Sequence, residues 1–157
     1  MKEGGTLKHA WHRILSRFFL RLGDVHRHFG NLYGSREEHW AAIENYTRAV
    51  ALDPGYTQAY YRRGVIYWRE IGNHQRAIED LTRVLELDPA CAEAYFNRAM
   101  AYQARREFER AITDLERYLA EGHDVYWIDS ARRQLIELRT EFEEGEPDGK
   151  TEGGSSA

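Results

Sequence analysis

The chain has 157 residues, 31% of them charged and 42% hydrophobic, with a formal net charge of −4. That balance belongs to a folded domain with its own core, and it gives no electrostatic reason to expect nucleic acid as a partner. Only Pro54, Pro89 and Pro147 break helix formation, the single Cys91 excludes an internal disulfide, and no apolar run approaches the ~18 residues of a membrane span.

Residues 1–6 are expected to be disordered. The start is basic, with Lys2, Lys8, Arg13, Arg17, Arg21 and Arg27 against Glu3 and Asp24 over residues 1–30. Its longest apolar run, Phe18-Phe19-Leu20, is bracketed by Arg17 and Arg21. That is unlike a secretory leader, and a cytoplasmic location is expected.

Residues 7–22 predict an amphipathic helix: Trp11, Ile14, Leu15, Phe18, Phe19 and Leu22 fall at i, i+3, i+4, i+7, i+8 and i+11. His9, Arg13, Arg17 and Arg21 line another face. An aromatic stripe reads first as core, so the segment is expected to pack on the helices that follow and shield their open end. The alternative is contact with an anionic membrane or a partner's groove through Trp11, Arg13, Arg17, Phe18 and Arg21.

The next hundred residues repeat. Ala42-Ile43-Glu44-Asn45-Tyr46-Thr47-Arg48-Ala49 returns as Ala77-Ile78-Glu79-Asp80-Leu81-Thr82-Arg83-Val84 and as Ala111-Ile112-Thr113-Asp114-Leu115-Glu116-Arg117-Tyr118. A second series, Gly30/Tyr33, Gly64/Tyr67 and Ala99/Tyr102, runs ahead of it with the same period of 34 or 35. The two series differ by one residue in opposite senses. One residue inserted between Tyr67 and Ala77 accounts for both, and the turn Ile71-Gly72-Asn73 is its expected place. Each unit predicts two helices, with units at 23–56, 57–91 and 92–123. Gly30, Gly64 and Ala99 admit the second helix closely. Ala77, Leu81, Val84 and Leu85 form its buried stripe, and Asp53-Pro54 and Asp88-Pro89 end it.

Residues 124–142 predict a closing helix, with Trp127, Ala131, Leu135 and Leu138 on one side and Arg132, Arg133, Glu137 and Arg139 on the other. The acidic Gly/Ser stretch 143–157 is expected to be disordered.

The repeat resembles the tetratricopeptide repeat family: Tyr60, Gly64, Tyr67, Ala77, Leu81 and Pro89 match its positions in the second unit, and Tyr95, Ala99, Tyr102, Phe108, Ala111 and Leu115 in the third. Val84 and Tyr118 replace a usual alanine, His123 stands at a usual proline, and His26 at the first aromatic. The resemblance implies an all-α, right-handed superhelical solenoid of three helix pairs, with helices at 7–22 and 124–142 as caps. It also implies a concave groove for a peptide or helix of another protein.

Carried over residue by residue, that groove takes Arg27 and Asn31 from the first unit and Tyr61, Arg62, Val65, Trp68 and Arg69 from the second. The third contributes Phe96, Asn97, Met100 and Gln103. Val65 and Met100 are as readily packing residues. A subset of the family clamps a terminal carboxylate. Here Arg27, Asn31 and Asn97 are compatible, but Arg62 replaces an asparagine and the negative Glu93 a required cation, which speaks against the clamp. An acidic or acidic–aromatic ligand fits the three arginines better.

The seven histidines have no Cys or acidic residue at metal-ligand spacing, and no phosphate loop or nucleophile elbow occurs. The reading is therefore a non-catalytic interaction adaptor or scaffold without cofactor or metal. Membrane-associated assembly through residues 7–22 and homo-oligomeric scaffolding are the alternatives.

Overall fold

Where proline is absent and apolar residues recur at helical spacing, the chain is helical, and no strand occurs among the described residues. The computed structural model describes residues 3–121 and 125–145. The helices are α1 (Glu3–Tyr33), α2 (Arg36–Leu52), α3 (Thr57–Ile66), α4 (His74–Leu87), α5 (Ala92–Ala104), α6 (Phe108–Glu121) and α7 (Val125–Gly145). A π-helical turn, Tyr67–Ile71, prolongs α3. Consecutive helices pack on one another, so the chain stacks as hairpins α1–α2, α3–α4 and α5–α6, followed by α7.

Local chemistry sets the ends. Ser35 accepts from the Glu38 N–H at the start of α2, and the Asn73 side chain accepts from the Arg76 N–H at the start of α4. Asp53 and Asp88, each before a proline, leave the helical region with φ of −136° and −142° and close α2 and α4. Gly34 and Gly72 reverse the chain at φ of 63° and 74°.

Small residues bring each pair together. A Cβ on Gly64 would lie 3.1 Å from both Asp80 Cβ and Leu81 Cγ, and one on Gly23 would strike the Tyr46 ring. Around them Ala42, Tyr46, Ala77, Leu81, Ala111 and Leu115 are fully buried.

Two arginines stitch the stack. Arg63 grips Asp80 of its own hairpin with two hydrogen bonds (2.8 and 2.7 Å) and donates a third, at 2.9 Å, to Thr47 of the preceding one. Arg98 repeats this with Asp114 (2.7 and 2.8 Å) and Thr82 (3.0 Å). Burial pushes the Asp80 carboxyl above its usual range, with Arg63 pulling the other way. Such a pair fixes geometry more than it adds stability, but removing one half strands a buried charge. The first hairpin has no such pair, because Phe29 and Asn45 stand where Arg63 and Asp80 stand in the second.

Three expectations change. Residues 7–22 are not a separate helix, because α1 runs unbroken from Glu3 through Tyr33, including residues 3–6, which were expected to be disordered. A continuous helix has one phase, and Gly23 and Gly30 turn toward α2. The residues in phase with them, Ser16 and Leu20, are therefore the buried ones. Ser16 also donates to the Ala49 carbonyl at 2.9 Å. Trp11, Ile14, Leu15 and Phe18 face outward instead, 41–60% exposed. His26 bonds Glu38 (2.7 Å) rather than packing as an aromatic would.

The inserted residue sits in the helix, not in the turn. The π-helical stretch widens the coil after Tyr67, and the Gly72 N–H returns to the Tyr67 carbonyl. At the far end Ala131, Leu135 and Leu138 are buried as expected, whereas Trp127 stays 45% exposed and the helix continues to Gly145. His123 and the tail from residue 146 lie outside the described residues.

Replacing Gly64 by Leu is expected to cost at least about 1–3 kcal/mol through overpacking, and Ala77→Glu, at a fully buried position, more than that. Gly55→Ala, whose Cβ meets nothing closer than 3.5 Å, is expected to leave the thermal transition in place. Asp114→Ala is expected to lose about 3 kcal/mol in urea denaturation, because the largely enclosed Arg98 loses its carboxylate partner and keeps only Thr82.

Candidate functional site

The first helices of the hairpins lie side by side, and polar bonds tie them across the gaps. Arg62 on α3 pairs with Asp24 on α1, which also accepts from the Tyr46 hydroxyl at 2.9 Å. Asn97 on α5 donates to the Tyr61 hydroxyl on α3 at 3.1 Å and to the Glu93 carbonyl at 2.8 Å. Gln134 on α7 donates to Gln103 on α5 at 3.1 Å.

Between α3, α5, α6 and α7 this face holds a depression of about 180 Å3, lined by Tyr61, Arg69, Glu93, Phe96, Asn97, Tyr118 and Trp127. Its wall is aromatic: the Phe96 ring lies 5.2 Å from Tyr118 and 6.1 Å from Trp127. Its rim carries one cation, Arg69, and one anion, Glu93. Burial, reinforced by the neighbouring Cys91 and Glu93, pushes the Tyr61 phenol up, so it stays a neutral hydroxyl. The Asn97 side chain is 5% exposed and held from two sides, which fixes the floor.

Of the residues predicted for the groove, Tyr61, Arg69, Phe96 and Asn97 meet in this depression. The others do different work. Arg62 is engaged by Asp24, so it is not a free cation. Asn31 accepts from His39 Nε2 at 2.9 Å. Arg27 is half-buried, with its Nε enclosed and unpartnered. Val65 and Trp68 are half-buried, and Trp68 packs against two core clusters. Met100, 9% exposed, belongs to the core, and Gln103 bridges to α7.

Tyr118 and Trp127 were absent from the predicted groove. The signal for Tyr118 was its size at a position where the repeat uses alanine or valine. Trp127 gave none, because its helix lies beyond the repeat.

Two family models match the chain: one described as tetratricopeptide repeat over residues 66–139, and one described as TPR repeat over residues 30–70. The chain belongs to the tetratricopeptide repeat family. Solved structures of such domains resemble about four-fifths of it. The first TPR of Spaghetti (RPAP3) bound to HSP90 peptide SRMEEVD is 23% identical, with a TM-score of 0.64, covering 79% of this chain and 95% of that one. The Arabidopsis OM64 TPR domain is 20% identical, with a TM-score of 0.69 and coverage of 82% and 98%. The second TPR domain of human RPAP3 in complex with HSP70 peptide SGPTIEEVD is 22% identical, with a TM-score of 0.62 and coverage of 79% and 98%. No curated protein matches the sequence.

Among the described residues of this tetratricopeptide repeat chain, no helix is long and apolar enough to cross a membrane. None of those residues forms a group of three or more His, Cys, Asp or Glu placed to hold a metal ion.

Tyr61→Phe is expected to cost about 1 kcal/mol in urea denaturation, since one of the two Asn97 bonds is lost and the other kept. Burial also pushes the Cys91 thiol up. Its alkylation by iodoacetamide at neutral pH is therefore expected to be slower than that of an exposed cysteine peptide.

Proposed function

We propose that this chain is a non-catalytic adaptor that holds a peptide or helix of another protein against the face of its first helices. The depression at Tyr61, Phe96 and Trp127 anchors one aromatic or aliphatic side chain of that ligand. The observation that carries this reading is the aromatic wall opening to solvent beside Arg69 and over a fixed Asn97. Aromatic residues and arginine around a partly dry pocket are what concentrates binding energy at protein interfaces.

Two of the similar structures contain peptides that end in Glu-Glu-Val-Asp. The present site supports a variation on that theme rather than a copy. Glu93 sits on the rim and repels a terminal carboxylate, and Arg62 is already neutralised by Asp24. An apolar or aromatic anchor, followed by an acidic residue that reaches Arg69, suits the lining better than a carboxylate-terminated anchor. A cytoplasmic location goes with this reading.

The test compares wild type with a Tyr61→Ala/Arg69→Glu/Phe96→Ala variant, folded by circular dichroism, as bait in its native lysate. It is followed by titration of peptides from whatever is retained. Wild type is expected to retain a partner that the variant loses, with affinity reduced at least tenfold and weakened by salt. Equal recovery by both proteins refutes the site.

A further inference from the structure

α1 has a second side that the array leaves open. From Trp11 the apolar residues Leu15, Phe18, Leu22, Val25, Phe29 and Leu32 follow at alternating steps of four and three, the 3.5-residue repeat by which two helices wind together. Trp11 and Leu32 are each 60% exposed, Phe18 58%, Val25 48%, and Leu15 and Phe29 each 41%. The opposite side of the same helix is sealed on α2.

Elsewhere in the array the equivalent surface is covered. Leu32 and Tyr33 stand where Ile66 and Tyr67 stand in the second hairpin, and those are 1% and 6% exposed beneath the first. The stitch differs too. Arg63 and Arg98 reach back to a threonine of the preceding hairpin, but their counterpart here is Phe29, which has nothing to donate. This side is thus shaped for an apolar seam rather than for another unit of the same kind.

Its size suits a pairing of helices. The seam leaves on the order of 700 Å2 of side-chain surface open, close to the ~800 Å2 that each partner contributes to a standard interface. The order of its residues suits a reversed copy of itself. Antiparallel about an axis near residue 20, Phe18 of one copy meets Leu22 of the other, Leu15 meets Val25, and Trp11 meets Phe29. A parallel pairing would instead set Trp11 on Trp11 and Phe18 on Phe18.

We propose that two copies of this chain pair through the outward seam of α1, antiparallel and about a two-fold axis. None of the seam residues lines the depression at Tyr61, Phe96 and Trp127. The pairing is therefore independent of ligand binding in the groove.

The test is the mass of the full chain in solution by light scattering across micromolar concentrations. Wild type is expected at twice 18.4 kDa. Phe18→Glu/Val25→Glu, at two exposed positions, is expected at the single mass with its helix content kept, while Tyr61→Ala/Phe96→Ala stays paired. In a Cys91→Ser background, Arg21→Cys near the axis is expected to crosslink to its copy under oxidation, and His28→Cys is not. A wild type of single mass throughout overturns the proposal, as does a dimer that survives Phe18→Glu/Val25→Glu or a crosslink at both cysteines. Single-mass wild type that cosediments with phosphatidylserine vesicles, when the Phe18→Glu/Val25→Glu variant does not, would assign the seam to lipid instead.

Discussion

The stacking of the three hairpins depends on how an arginine on one helix reaches two others at once. Arg63 and Arg98 each hold a buried aspartate of their own hairpin and a threonine of the one before. A guanidinium can grip both aspartate oxygens and still reach the threonine because its donors are fixed in a plane; a lysine in the same place has one nitrogen and cannot reproduce that fork. The bond to aspartate sets the angle within a hairpin, and the bond to threonine sets the step to the previous one. The apolar contacts around Ala77, Leu81, Ala111 and Leu115 supply the stabilising free energy. They would tolerate a range of angles that the arginines do not. The face of the first helices, and the depression in it, inherits its shape from those two fixed angles.

The helices and their order were legible because periodicity, capping residues and the Asp-Pro stops all point the same way. The phase of α1 was not. Read alone, residues 7–22 show an aromatic stripe, and burying it is the sensible guess. The guess fails because Gly23 and Gly30, further along the same helix, admit Tyr46 and His39 of α2 so closely that they decide which side faces inward. Helix continuity then carries that decision back to Ser16 and Leu20. The insertion after Tyr67 was visible as a count, but a count cannot say whether a turn or the helix itself takes the extra residue.

The site was half legible for a related reason. Tyr61, Arg69, Phe96 and Asn97 lie on the repeating helices, so register placed them. What register cannot show is occupancy. Arg62 is at the expected position and is consumed by Asp24, and Met100 is at the expected position and faces the core. Trp127 comes from a helix outside the repeat, which no internal comparison reaches. Sequence arguments about repeats therefore locate backbone positions well and the availability of side chains poorly.

The replaced residues at the two ends of the stack have a consequence for how such a chain can change in length. Thr47 and Thr82 are interchangeable, as are Arg63 and Arg98, so duplicating the middle hairpin would create a new junction whose donor and acceptor are already in place. At the first hairpin the donor is missing, with Phe29 in its position. At the third the threonine is replaced: Glu116 stands in its position, and its carboxylate already accepts from Arg139 of α7 at 2.6 Å. The array is thus punctuated, with an opening mark at Phe29 and a closing mark at Glu116. Lengthening by repetition is chemically ready-made only in the interior between them.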